Sequence, residues 1–386
     1  MIRMLDPTRL ADDERALLRE AFDRVLEGGS FILGPEVERF EQEIAAFLGV
    51  RHAIGVSSGT DALIVSLLSL GVGPGDEVIC PAYTFFATAG AIARVGATPV
   101  FADVELHDFM SSAEAIAARI GPRTRAIVAV HLFGQAAEID RMLDWGVPVV
   151  EDAAQAIGAT LGGRRVGSFG ALGAFSFFPS KNLAALGDGG LVTTNDDDLA
   201  EKARTLRVHG ARRRNHHELL GGNYRLDALQ AAALRVRLPR LGDRTARRVA
   251  IAERYREGLR AAGVGVANEG QFIDRDADRD DVVLLPRVVR GEHVHNQFVV
   301  RVAARVRDPL RATLLERGIE TAVYYPEILP HQPCFAHLPD ARAPFGGAST
   351  AAAETIALPI DPALREDEID TVIATIARGC DGARRR

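Results

Sequence analysis

Lysine is nearly absent from this chain. Of its 46 lysines and arginines only Lys181 and Lys202 are lysine, which leaves 44 arginines among 386 residues. A bias of this strength reflects genome composition. Arginine, however, keeps its proton at any physiological pH, whereas a lysine amine can lose it and attack a carbonyl carbon. Each surviving lysine therefore raises the question of whether its site needs an amine. Cysteine is scarce as well. Cys80, Cys334 and Cys380 are too few and too scattered for a disulfide framework or a zinc site. No apolar run approaches the ~18 residues needed to cross a bilayer. The opening stretch, MIRMLDPTRLADDERALL, has acidic residues where a signal peptide would be apolar. A soluble, cytoplasmic protein is expected. A net charge of −6 argues against nucleic acid as the main partner. No Walker lysine, metal-spaced histidine pair or nucleophile elbow occurs, so no metal is expected.

With 47% hydrophobic and 25% charged residues, the composition is that of a folded globular chain. At ~150 residues per domain the length fits two or three domains, or one large α/β domain and a smaller one. Apolar spacing predicts helices over 8–27 and 36–48. From residue 52 onward, β-rich runs (His52–Val56, Glu77–Cys80, Thr98–Phe101, Arg125–Val130, Val147–Val150) alternate with helical stretches (Asp61–Leu70, Thr84–Arg94, Ser112–Arg119, Ala136–Leu143). Such alternation implies a mostly parallel sheet covered by helices on both faces. Gly173–Phe178 and Gly190–Thr194 read as two further strands. The texture then changes, with long helices at Leu226–Leu238 and Arg244–Leu259 and an irregular stretch over 264–294. That stretch is acidic, with Asp274, Asp276, Asp278, Asp280 and Asp281 close together. A strand (Gln297–Val302), a helix (Pro309–Arg317), a strand (Glu320–Tyr324) and a helix (Arg365–Arg378) follow, before an ARRR terminus expected to fray.

Four segments carry chemically suggestive residues. Ser57-Ser58-Gly59-Thr60-Asp61 follows a strand and opens a helix, where free N–H groups can bind an anion; taken alone, ordinary N-capping is the commoner explanation. Asp152, in Val149-Val150-Glu151-Asp152-Ala153-Ala154-Gln155, falls at the C-terminal end of a buried strand, where ligands of open α/β sheets gather. A carboxylate there could face a cationic ring nitrogen or cap a helix, and Gln155 could reach the same ligand. Lys181 ends the apolar run Phe175-Ser176-Phe177-Phe178-Pro179-Ser180 and enters a loop containing Gly187-Asp188-Gly189-Gly190. A desolvated lysine there becomes a nucleophile. A surface lysine is the alternative, weakened because surface cations in this chain are arginines. Lys202 lies in a polar amphipathic helix and reads as solvated. In Pro81-Ala82-Tyr83-Thr84-Phe85-Phe86, Phe85 could stack on a flat ring, with core packing the alternative, stronger for Phe86. Gly71-Val72-Gly73-Pro74-Gly75 follows a helix and precedes a strand, the wrong order for a phosphate loop.

In order and spacing, these segments resemble the fold-type-I enzymes that depend on pyridoxal 5′-phosphate (PLP). More specifically, the chain is similar to the DegT/DnrJ/EryC1/StrS sugar aminotransferases. SSGTDAL, GDEVICPAYTFFAT, GATPVFADVE, VHLFGQ, VEDAAQAIGA, VGSFG, FSFFPSKNLAALGDGG and NYRLDALQAA carry the likeness over nearly the whole length. The resemblance implies an α/β, aspartate-aminotransferase-like large domain with a mixed, mostly parallel sheet, and a smaller C-terminal α+β domain. The implied division is an N-terminal segment over 1–30 packing near the small domain, a PLP-binding domain over 31–240 and a small domain over 241–386. It implies that Lys181 bears PLP and Asp152 pairs with the ring nitrogen. Gln155 would bond the phenolic oxygen, and Phe85 would cover the ring. Gly59, Thr60, Asp61 (through its backbone) and Ser176 would hold the phosphate. Asn223 would reach that phosphate from the neighbouring subunit of a homodimer, and Arg225, Tyr324 and Tyr325 would meet substrate. The implied activity moves an amino group, with glutamate as donor, to a 3- or 4-keto nucleotide-linked hexose, giving an amino sugar for glycan or natural-product biosynthesis. Sugar dehydration, aminocyclitol transamination and a non-catalytic regulatory relative are the alternatives. The family often reads His-Tyr-Pro where this chain has Tyr324-Tyr325-Pro326. Arg212-Arg213-Arg214 could meet a substrate diphosphate, or be a solvated loop.

Overall fold

The computed structural model describes residues 1–270 and 282–384. The aspartates at 274, 276, 278, 280 and 281 and the last two arginines lie outside the described residues. Helices α1 (Asp12–Gly28) and α2 (Pro35–Leu48) lead into strand β1 (His52–Val56). Pro35 at the first turn of α2 has a backbone pre-set for helix. Val37, Phe40, Ile44 and Leu48 form its buried stripe, each worth ~1.5–3 kcal/mol of burial. Helix α1 starts four residues later than its apolar spacing predicts, because Asp6 caps a turn by accepting from the Thr8 N–H (3.0 Å) and hydroxyl (2.6 Å).

There follow α3 (Gly59–Ser69), β2 (Glu77–Pro81), α4 (Ala87–Arg94), β3 (Thr98–Ala102), α5 (Ala113–Ala117), β4 (Thr124–Val130), β5 (Val149–Asp152), a small hairpin β6 (Thr160–Leu161) and β7 (Arg164–Arg165), β8 (Leu172–Ser176) and β9 (Gly190–Thr194). The helix expected over Ala136–Leu143 is instead a pair of 3₁₀ turns, Ile139–Arg141 and Leu143–Trp145. Ile139 and Met142, three apart, are the buried residues that a 3₁₀ turn aligns on one side.

The central sheet has the order β1-β9-β8-β5-β4-β2-β3. Only β9 runs against the others, pairing antiparallel with both β1 and β8. Alternate residues serve opposite faces: Ile54, Val56, Ala174 and Val192 join one core, and Ala53, Phe175 and Leu191 another. Burial on both faces explains the near-continuous apolar runs. The topology also puts the C-terminal ends of β1, β2, β4, β5 and β8 along a single edge.

The rest of the chain comprises α6 (Asp197–Arg207), the hairpin β10 (Ala211–Arg213) and β11 (His216–His217), α7 (Ala228–Arg237), α8 (Leu241–Ala261), β12 (Gly265–Ala267), β13 (Val283–Leu285), β14 (Phe298–Arg301), α9 (Ala304–Glu316), α10 (Gly346–Glu354), β15 (Thr355–Leu358) and α11 (Glu366–Arg384). Strands β12-β13-β14-β15 form a second sheet, packed by Tyr255 and Leu259 of α8, Leu314 of α9 and Val372 of α11. Residues 320–324, expected as a strand, make only the bridge Ala322↔Ala357 and then leave the sheet. The first residues pack on this C-terminal part: the Ile2 N–H donates to the Gly318 carbonyl (2.7 Å), and Arg9 pairs with Glu368 (2.8 Å).

Candidate active site

The strand ends of the central sheet converge on a cavity of about 440 Å³. Asp152, the last residue of β5, is buried beneath it. Its Oδ2 accepts from the Thr88 hydroxyl of α4 (2.8 Å), and its Oδ1 from the Ala154 N–H (3.2 Å). Burial raises the Asp152 carboxyl above its ordinary value; these two bonds, Lys181 and His131 pull it back down. A nearby cationic ligand would relieve the cost of holding that charge out of water.

Lys181 enters the cavity from the turn after β8, where its N–H donates to the Phe178 carbonyl (2.8 Å). Burial lowers its amine to about 8, against the opposing pull of Asp152. Roughly a tenth of it is then free base at pH 7, against well under a hundredth for an ordinary lysine. Lys202 lies exposed on α6. Among the described residues lining the cavity there is no arginine, so Lys181 is its cation.

The start of α3 makes one wall. Ser58 caps the helix, its Oγ accepting from the Asp61 N–H (3.1 Å), and the Asp61 carboxylate accepts from the Ser57 (2.6 Å) and Ser58 (3.0 Å) hydroxyls. Asp61 thus shapes the turn, and its N–H is already used. Gly59 and Thr60 face the cavity beside Ser176. A Cβ on Gly59 would lie 2.6 Å from the Ser176 Cβ, and one on Gly190 would lie 2.2 Å from the Ser58 carbonyl oxygen. A close-packed, small-residue cradle at a helix N-terminus suits a phosphate.

Gln155 fixes the opposite wall. Its Oε1 accepts from the Phe133 N–H (2.7 Å), and its Nε2 donates to the Tyr325 hydroxyl (2.9 Å), leaving the second Nε2 proton for a ligand. Tyr325 stacks on Phe133 (ring centroids 6.1 Å apart) and meets Tyr83 edge-on (5.3 Å). Phe85 lines the cavity while 59% exposed, an unpaired aromatic face at the mouth. Tyr324, 40% exposed, lines it too. Leaving the sheet after Ala322 is what brings these two tyrosines here. A carboxylate at one end, a helix-start cradle at the other, an amine between and an aromatic at the mouth fit a phosphorylated cationic aldehyde ring.

Some expected residues are not brought in. Asn223 is exposed, bridging to Val208, and Arg225 bridges to Val56; neither lines its own chain's cavity. Arg212 and Arg213 lie on the exposed hairpin β10–β11. Thr88, which donates to Asp152, and the cavity-lining polar residues His131, Ser180, Asp188 and Gln297 were given no role from the sequence. His131 is locked, its Nε2 on Glu151 (2.9 Å) and its Nδ1 accepting from the Ala137 N–H (3.0 Å). VHLFGQ and the Gly187–Gly190 loop were visible in sequence, but nothing in them indicated which side chain turns inward.

The DegT/DnrJ/EryC1/StrS aminotransferase family model matches residues 12–377. The chain is 42% identical over 381 residues to a "pleiotropic regulatory protein" of Geobacillus stearothermophilus, covering 97% of this chain and 98% of that one. It is 42% identical over 364 residues to a UDP-N-acetyl-3-dehydro-alpha-D-glucosamine 3-aminotransferase of Acidithiobacillus ferrooxidans, covering 93% and 92%. Among solved structures, DesV of S. venezuelae, captured as a ketimine complex, superposes with a TM-score of 0.90 at 38% identity, covering 98% of each chain. The chain belongs to the DegT/DnrJ/EryC1/StrS family of PLP-dependent aminotransferases.

Proposed function

We propose that this aminotransferase moves an amino group from glutamate to the 3- or 4-keto group of a nucleotide-linked hexose. The observation that supports it most is that buried Asp152, at the end of β5, and Lys181, in the turn after the adjoining β8, line one cavity. Bound PLP supplies a conjugated, protonated ring that carries the amino group between substrates and delocalises the electron pair left when a proton leaves carbon. The residues do the rest. Lys181 Nζ would bear the cofactor, and its free amine would take up and return a proton as base and then acid. Asp152 would hold the ring nitrogen, Gln155 Nε2 the phenolic oxygen, and Phe85 the ring face. Gly59, Thr60, Ser176 and the turn built by Asp61 hold the phosphate. Tyr324 and Tyr325 contact the sugar nucleotide, and Arg225, beside Asn223, reaches it from the second copy or holds that loop.

Asn223 completes the site from the second copy of a homodimer. The apolar residues left exposed support that dimer: Phe178 (51%) lines the same cavity as Phe85, and Phe86 (47%) lies beside Phe85 just outside it. Next to it is a groove of about 650 Å³ lined by Phe86, Cys334, Phe335 and Leu338. Solvent-exposed aromatics grouped this way mark an association surface. The working division is a segment over 1–30, a cofactor-binding domain over 31–240 and a small domain from 241 on. No helix among the described residues is long and apolar enough to cross a membrane, in keeping with a cytoplasmic enzyme.

A regulatory role has one supporting observation, the name of the Geobacillus stearothermophilus relative. It predicts a degraded site, whereas the lysine, the aspartate and the cradle are all in place here. The test is to load the pyridoxamine phosphate form and add a panel of 3- and 4-keto nucleotide sugars. Return of PLP absorbance with an amino-sugar product is expected from one of them. A deoxygenated product would mean dehydration, and a protein that stays colourless with added PLP would mean regulation.

A further inference from the structure

The segment between β13 and β14 crosses back over the active-site edge of the central sheet. There it is hydrogen-bonded on both sides of Lys181. The Val294 N–H donates to the Gly134 carbonyl (2.9 Å), and the Asn296 N–H to the Phe133 carbonyl (3.0 Å). Asn182 Nδ2 donates to the Val294 carbonyl (2.9 Å). Asn296 Nδ2 in turn donates to Asn182 Oδ1 (3.0 Å) and to the Ser180 carbonyl (3.3 Å). Both amides are buried, Asn182 at 6% and Asn296 at 4% exposure. The segment is itself anchored from behind, where the buried Arg248 guanidinium of α8 donates to the carbonyls of Asn296 (3.3 Å) and Ile360 (3.0 Å).

We propose that Asn296 is a positioning residue for Lys181, clamping the residues before and after it with the two protons of one amide. A lysine side chain has four rotatable bonds, and a reacting atom misplaced by ~1 Å can cost ~10²-fold in rate. Fixing Ser180 and Asn182 fixes the root from which that chain projects. The clamp comes from a segment more than a hundred residues away in sequence. The orientation of the amine is therefore set by the C-terminal part of the molecule, next to Gln297 in the cavity wall. Because Asn296 touches no reacting atom, it acts through Lys181, and the inference rests on the reading of Lys181 as the cofactor-bearing amine.

The chain's poverty in lysine makes this measurable, since exposed Lys202 is a built-in reference amine. Trace acylation of the apoprotein across about pH 6 to 10, read by mass spectrometry, gives the Lys181/Lys202 reactivity ratio. In Asn296→Ala that ratio is expected to change at least ~3-fold, and kcat of the loaded enzyme to fall ~10-fold or more with KM for the donor within ~3-fold. Asn182→Ala removes the Asn296 and Val294 bonds on the far side of Lys181 but leaves the Asn296 hold on Ser180, and should move both readouts the same way. The double variant should lose less than the two single changes added together, because the Asn182–Asn296 bond is removed by both. If Asn296→Ala does not fold, Asn182→Ala alone decides. A ratio within ~2-fold of wild type in the folded variant overturns the proposal, whatever happens to kcat. Borohydride fixation of PLP in the unmodified holoenzyme keeps the two readings apart. A label on a residue other than Lys181 refutes the Lys181 assignment; a label on Lys181 with an unchanged ratio refutes the clamp.

Discussion

Asp152 shows how function and stability oppose each other at a single residue. Burial lifts its folded-state pKa above the ordinary carboxylate value, so the ionised form is disfavoured in the fold relative to the unfolded chain. Its contribution to apoprotein stability is therefore present at low pH, where the group is protonated in both states. That contribution is lost as pH rises through the raised folded value. Asn at this position cannot ionise. It can still accept from the Ala154 N–H, while the Thr88 hydroxyl turns to accept from the new amide. The apo form of Asp152→Asn is expected to melt no lower than wild type at neutral pH and to gain on it as pH rises through the titration of Asp152, as calorimetry would show. In the loaded enzyme the same change removes the charge opposite the ring nitrogen. A loss of ~10²–10³ in kcat is expected. A lower apo melting temperature at neutral pH would contradict the burial argument.

At the level of elements, the start of α3 has the tightest geometry. Ser58 and Asp61 form an N-cap whose side chains are hydrogen-bonded to each other, and Gly59 has no room for a side chain against Ser176. Gly59→Ala forces β8 and α3 apart at the cradle. We expect a cost of ~1–3 kcal/mol in denaturant unfolding, as for other overpacked sites. PLP affinity should fall ~10-fold or more in a fluorescence titration of the apoprotein, each ~1.4 kcal/mol being tenfold. Equal losses in unfolding free energy with unchanged PLP affinity would show the glycine to serve packing alone. The same scale explains the misread elements. Over 320–324 the β-branched and aromatic residues favour strand, but only Ala322 pairs, because the chain then turns to seat Tyr325 against Gln155 and Phe133. Over 136–143 helical spacing is satisfied by two short 3₁₀ turns.

At the scale of the whole molecule, the position of Asn223 is the informative one, exposed and outside its own cavity. If the site is shared between two copies, Lys181→Arg and Asn223→Asp are each inactive alone for different reasons. The first keeps a charge but has no amine, and the second sets a carboxylate against a phosphate. Mixed after reversible dissociation, they should recover activity. A heterodimer contains one site with a native Lys181 and a native Asn223, giving about a quarter of wild-type sites at equal mixing. Absence of any recovery in a mixture shown to exchange subunits would place Asn223 outside the catalytic centre.

Much of this protein could be read in the sequence for local reasons. Apolar periodicity located the seven sheet strands to within about two residues. The lysine count drew attention to Lys181 as a residue whose chemistry arginine could not supply. Strand ends bearing Asp152, Ser176 and the Ser57–Asp61 turn were legible because such ends recur at ligand sites in α/β sheets. What the sequence could not determine was everything that depends on residues meeting from far apart. Thr88 on Asp152, Gln155 on Tyr325 and Asn296 on the flanks of Lys181 are single hydrogen bonds across 64, 170 and 114 residues. No local period or propensity encodes them, because each depends on the strand order of the central sheet and on where the segment before β14 crosses it. The sequence by itself determined that an amine and a carboxylate stand at strand ends. The tertiary structure decided which way they face and what holds them there.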